Sequence, residues 1–339
     1  MTAILQPVSP PEIIFKSKMS SSNAARSPDR GSIQRVAANA LQTRNVTVDR
    51  FHGSLFRTFK LQPSPEFFYI LRCRPSMSVR LLRHEEDRLH TEAYILQALR
   101  GRSDLLVPRL IECQSTTAVI GSPYLISGPF KGVLLSDIEA QLSKQALASI
   151  DRSMGTFVKR LTYITGTHFG PLHSSTPSST SHSWSKCFAN MLESILRDAE
   201  DALVSLPYDF IRDQIFRHRA SLDQITQPKL VLVEMVRDQN IVVDPKSCTT
   251  SGLLDWSTAV WGDPYLSDCF YNPSVGFVEG FGKLPNGTTE ERIRQYLYIL
   301  YHALLAIVRQ CYRPTEDGDE LAARRNLTSA LTQLNSIPR

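Results

Sequence analysis

The apolar residues of this chain change their spacing part-way along, and that change excludes most architectures. From Asn45 the pattern alternates. Val46, Val48 and Phe51 lead to Gly53-Ser54, then come Phe56, Phe59 and Leu61, and after a break at Pro63 to Glu66 the run FFYILRC fills Phe67 to Cys73. Two strands joined at a glycine and followed by a third predict an antiparallel sheet. RHEEDRLHTEAYILQALR follows, with Leu89, Ala93, Leu96 and Leu99 on one face, which predicts a helix packed on that sheet. Pro108 to Cys113 and Pro123 to Ser127 read as two more short strands, ending near Gly132. After about residue 136 the spacing is helical, over 137–165, 184–204, 208–224, 289–312 and 318–336. A Ser-rich loop at 171–183 and strand-like runs at 229–235, 241–244 and 252–255 interrupt it. Strands first and helices afterwards specify an α+β chain of two lobes rather than an alternating α/β one. A cleft between two such lobes is a natural ligand site.

This order sets the expected boundaries. Residues 1–31, rich in Ser and Pro, form a loose tail, 32–132 a small sheet lobe and 133–339 a helical lobe. Ser32 stands before the stripe Ile33, Val36, Ala37, Leu41 as the cap of a short helix. The net charge of +5 is spread without a Lys/Arg run, which suits a polyanionic small ligand and argues against nucleic acid. The six cysteines form no CxxC pair, so a zinc cluster is not expected and a reducing compartment is. No apolar stretch reaches the ~18 residues that a membrane span needs. These features together predict a cytoplasmic protein.

Residues 230–264, LVLVEMVRDQNIVVDPKSCTTSGLLDWSTAVWGDP, hold the chemistry. Asn240 opens one short apolar strand and Asp255 closes another, so a hairpin would bring them together. An amide oxygen and a carboxylate suit Mg2+, which takes few protein ligands and leaves the rest to phosphate and water. Strand-end capping by both residues is the other reading that spacing leaves open.

The same stretch resembles the core of the aminoglycoside phosphotransferase and choline kinase-like family, in a branch common in fungi and bacteria. That branch runs roughly H-W-D-L-W-D-G-N, then a strand, then I-D-W/F-E-x-A-x-W-G-D-P. Asn240 falls on the pattern's Asn, Leu254-Asp255-Trp256 on I-D-W, and Trp261 to Pro264 on W-G-D-P. The resemblance, which covers roughly 45–312, implies a protein-kinase-like fold and the binding of ATP and Mg2+, with Asn240 and Asp255 on the metal. It implies that Gly53 and Ser54 form the phosphate-covering turn, that Arg72 is the phosphate-pairing base, and that Glu92 is that base's acidic partner. Tyr124 to Gly132 would be the adenine hinge. A nucleotide and an unidentified small molecule are the implied partners.

The pattern's His and Asp, seven and five residues before Asn240, fall on Val233 and Met235. A thioether cannot take the acceptor's proton, and losing a general base costs about 10²- to 10⁴-fold in rate. Glu234 and Asp238 are the neighbouring acids, and Asp238 is the substitute that the resemblance favours. Three outcomes follow: a small-molecule O-phosphotransferase with weakened chemistry, a pseudokinase binding module, or a kinase fold recruited to other chemistry in fungal specialised metabolism.

Overall fold

The computed structural model describes residues 28–51, 55–172, 180–235, 238–284, 287–315 and 318–338, with the backbone of Ala3 and Ile4. Gly53, Ser54 and most of the N-terminal tail lie outside these residues.

The first lobe is a five-stranded antiparallel sheet. Its strands Thr47–Phe51, Arg57–Ser64, Phe67–Cys73 and Tyr124–Lys131 are neighbours in that order, and Arg109–Gln114 lies on the outer side of Tyr124–Lys131. Strand parity gives the sheet two different faces. Leu71 and Cys73 pack with Phe59 and Leu61 against Ile33, Val36 and Ala37 of helix Arg30–Ala40. That helix starts ahead of the expected cap: Asp29, not Ser32, caps it by accepting from the Ser32 N–H at 2.8 Å. The opposite parity, Phe68, Ile70 and Arg72, faces the second lobe. Helix Arg88–Ala98 follows a short turn at Arg83–Glu85 and packs against the strands Arg109–Gln114 and Tyr124–Lys131.

The chain leaves the sheet at Gly132, whose φ of 114° only glycine adopts easily. A Cβ there would strike the Val243 carbonyl, so the crossing is tight as well as left-handed. Val133–Leu134 then pairs with Ile241–Asp244, which pairs in turn with Thr249–Leu253. This small sheet sits beneath the first lobe and carries Asn240 and Asp255 at its ends.

The rest is largely helical, with long helices at Lys144–Leu161, Trp184–Asp201, Thr289–Tyr312 and Glu320–Ser336. One core joins Trp184–Asp201 to the last two of these helices, and a second surrounds Lys144–Leu161 and Trp256. Helix Val275–Phe281 lies so close to Lys144–Leu161 that Gly155 and Gly280 have no room for a side chain. The strand expected over 229–235 stops at Leu232, and a strand at Ala259–Gly262, which runs into the W-G-D-P match, pairs with it.

Candidate nucleotide and metal site

Arg72, Glu92 and Asp255 come from three separate elements and meet in one place. Arg72 ends the inward row of strand Phe67–Cys73, two residues past Ile70. Its Nη1 donates to Glu92 Oε1 at 2.5 Å and to Asp255 Oδ1 at 3.3 Å. Arg72 and Glu92 are buried, whereas the Asp255 side chain keeps 18% of its surface open. The Ser257 N–H donates to the same Asp255 oxygen at 2.8 Å. The Asn240 backbone lies across the hairpin from the residue before Asp255: its carbonyl accepts from the Leu254 N–H at 2.8 Å.

The charges do not balance. One guanidinium faces two carboxylates in a site largely shut off from water, where a charge costs several kcal/mol unless it is paired. Burial would raise Asp255, but Arg72 and the Ser257 N–H outweigh it and hold the carboxyl below its ordinary range. Burial pushes Glu92 up to about 7, with Arg72 opposing and Asp255 adding to the rise. Burial works against the Arg72 cation, yet Asp255 and Glu92 more than compensate and raise its pKa. Arg72 Nε and Glu92 Oε2 are buried without a hydrogen-bond partner.

Residues 233–235 make a bend, and their side chains part. Met235 is buried in the apolar core around Trp256 and Ile241, and its N–H donates to Asp268 Oδ1 at 2.8 Å. The Asp268 N–H returns a bond to the Val233 carbonyl at 2.9 Å. Glu234 points the other way, where Arg88 Nη2 and Arg309 Nη2 hold Oε1 at 2.9 and 2.5 Å. That carboxylate is committed to two guanidiniums and is a poor base. Asp238 opens the turn Asp238–Asn240, and its side chain lies outside the described residues. Asp263 is a buried structural acid: it accepts from Tyr298 Oη at 2.7 Å and from the Tyr265 N–H at 3.2 Å.

Sequence reasoning missed the network behind Glu234. Arg309 and Arg313 both bind Glu85, with Arg309 Nε at 3.3 Å and Arg313 Nη2 at 2.7 Å from Oε1. Glu85, Arg88 and Glu92 recur at i, i+3, i+7, which is the helical signal that was available; Arg309 and Arg313 show the same i, i+4 spacing.

Residues 50–266 match the model of a family described as the phosphotransferase enzyme family, APH. No curated protein matches the sequence. Several solved structures share the fold. A putative fructosamine-3-kinase from Thermobifida fusca YX-ER1 is 13% identical with a TM-score of 0.63, over 90% of this chain and 99% of that one. A thermostable mutant of aminoglycoside phosphotransferase APH(4)-Ia, in ternary complex with AMP-PNP and hygromycin B, is 13% identical with a TM-score of 0.62, over 91% and 100%. A putative aminoglycoside phosphotransferase from Ralstonia eutropha JMP134 is 13% identical with a TM-score of 0.59, over 91% and 98%. At such identity these structures speak for the fold, a small antiparallel sheet lobe above a helical one. With the family match spanning well over half of the sequence, the chain belongs to the APH phosphotransferase family, of protein-kinase-like fold.

Proposed function

We propose that this protein binds Mg2+-ATP between its lobes and transfers the γ-phosphoryl group to a hydroxyl of a small molecule, without the carboxylate base its family uses. The observation that carries the reading is the meeting of Arg72, Glu92 and Asp255. Two carboxylates face one guanidinium, so near neutral pH a proton on Glu92 shares the compensation, and a divalent cation at Asp255 would take that proton's place. The Asn240 amide and the partly open Asp255 carboxylate fit Mg2+ as one or two protein ligands, with phosphate and water supplying the rest. The ion, when bound, would neutralise charge developing on the phosphates. Glu92 fixes the guanidinium of Arg72, whose buried, unpartnered Nε would meet a phosphate oxygen once the covering side chains part. The resemblance would assign the covering of the phosphates to Gly53 and Ser54.

In the transfer, the acceptor oxygen bonds to the γ-phosphorus as the bridging P–O bond breaks and ADP leaves. The hydroxyl proton has no carboxylate at position 235 to receive it, so it passes to water or to Asp238. Phosphoryl transfer leans on positioning and charge more than on proton removal, so the reading predicts slow turnover rather than none. Asp268 supports this, since it still pins the backbone of residue 235.

One observation favours the second reading, a binding module without turnover. Phe68, Ile70, Phe130, Leu134, Val242 and Leu254 form an apolar cluster between the lobes, each no more than 6% exposed. Phe68 and Phe130 stack with centroids 5.3 Å apart. A purine entering beside Arg72 would have to part these side chains. Isothermal titration with ATP, with and without Mg2+, is the test. Magnesium-dependent binding followed by ADP release in the presence of alcohols supports transfer; magnesium-dependent binding without turnover supports a nucleotide-binding module; no binding refutes transfer and leaves a module for a different ligand.

A further inference from the structure

A cavity of about 270 Å3 lies behind the helix that carries Glu92, enclosed by that helix, helix Trp184–Asp201, strand Ala259–Gly262 and Tyr301. It adjoins the site described above through Ser257, whose N–H holds Asp255, and through Thr91, the residue before Glu92. Its polar wall contains Arg83, His84, Arg88 and Glu234, and its apolar wall Met191, Val233, Val260 and Tyr301.

The geometry points to this cavity as the acceptor pocket, and to an uncharged, half-apolar alcohol or phenol as its occupant rather than a polycation. This deepens the phosphotransferase reading and rests on it. A polycation needs free carboxylates, and the wall offers it little. Glu234 is gripped by Arg88 and Arg309. Arg83 is tied to Asp198 and to Asp201, the latter at 2.6 Å. Asp87, the other lining carboxylate, is about half in solvent. An ammonium group would sit against two guanidiniums and would have to pull Glu234 from its partners, leaving buried Arg88 uncompensated.

A second observation removes another acceptor from the wall. His84 Nε2 lies 3.3 Å from Arg88 Nη2, and because guanidinium only donates, Nε2 must accept. Burial and the charges of Arg88 and Arg309 keep this imidazole neutral, with its pKa lowered to about 3. The proton therefore sits on Nδ1, which is buried without a partner. With Nε2 already accepting from Arg88, the neutral imidazole has no lone pair left to accept from an ammonium.

The experiment is saturation-transfer NMR on the full chain with two probes of similar size, tyrosol (uncharged) and 2-deoxystreptamine (a dication). It is repeated on Ser194→Trp, which fills the cavity from helix Trp184–Asp201. Mg2+-ATP is titrated calorimetrically into both proteins. Tyrosol is expected to bind and 2-deoxystreptamine not to. Ser194→Trp should weaken tyrosol at least ~10-fold, about 1.4 kcal/mol, and leave Mg2+-ATP affinity unchanged. Should that variant not fold, Asn190→Trp from the exposed lip of the same helix replaces it. Tighter binding of the dication, binding of neither probe, or tyrosol binding indifferent to the tryptophan overturns the inference. Absence of Mg2+-ATP binding with the tyrosol result intact removes the phosphotransferase reading and leaves the charge preference of the cavity standing.

Discussion

Changing Glu92 to Gln should remove a pH dependence of stability that the wild-type chain carries between about pH 5 and 8. The Glu92 carboxyl rises from its ordinary 4.5 to about 7 on folding, through burial that Arg72 only partly offsets. A carboxyl raised in the folded state binds its proton more tightly there. Its contribution is therefore complete below the unfolded value and lost as pH climbs through about 7. Integrating between the two values gives a loss of about 2 to 3 kcal/mol from pH 5 to pH 8. Asp255, which is lowered, acts in the opposite sense and only in more acid solution, outside this window. Urea unfolding of both proteins at a series of pH values measures the effect, and the difference between their curves cancels the other titrating groups. The wild type should lose stability relative to Glu92→Gln as pH rises. Parallel curves, or a wild type that gains on the variant with rising pH, would refute the argument that this carboxyl is poorly compensated.

Three further outcomes follow from single contacts. Asp255→Ala should abolish the magnesium-dependent part of ATP binding in calorimetry, while binding that survives equally with and without Mg2+ would count against the metal role. Met235→Asp should lower stability by roughly 2–5 kcal/mol, since its side chain lies in the core around Trp256; thermal unfolding checks this, and an unchanged Tm would mean that the side chain can turn to the cleft. Gly280→Ala drives a methyl onto the Arg152 carbonyl and should cost about 2 kcal/mol or more in urea unfolding; a neutral result would show that helix Val275–Phe281 is free to shift.

Parity made part of the site legible. In FFYILRC, residues 68, 70 and 72 must share a face, so an arginine at the end of an apolar row had to project toward whatever that face covers. The hairpin between Ile241 and Leu253 likewise followed from two short apolar runs around a turn. Other features depend on contacts across hundreds of residues. A charged helix face reads as solvated, and nothing local says that Glu85, Arg88 and Glu92 are each at most 8% exposed. The partners of Glu85, Arg309 and Arg313, lie more than 200 residues away, and Arg88 finds Glu234 146 residues on. The run KLVLVEM reads as one strand because all but its charged residues are apolar, yet it bends after Leu232, where Asp268 and Thr258 rather than a neighbouring strand take the backbone of Met235 and Glu234. Strand Ala259–Gly262 was hidden because alternation over four residues is too short a signal.

The helix that carries Glu92 is pinned from two directions, and this bears on what the site can do without ligand. Glu92 reaches the sheet lobe through Arg72, while Arg88, one turn earlier, reaches the helical lobe through Glu234. Both pairs are largely buried, so swinging the helix outward would expose neither partner cheaply and would break both contacts together. Breaking a buried pair costs several kcal/mol, and two broken at once make the swung-out state scarce. Arg309 and Glu85 extend the same clamp onto helix Thr289–Tyr312. The Arg72–Glu92 pair therefore stands formed before any nucleotide arrives. On the proposed reading Arg72 faces the phosphates, and a base already placed costs no binding energy to assemble. Turnover, on that same reading, is limited by the missing proton acceptor and the packed cluster of Phe68 and Phe130, not by the position of the helix.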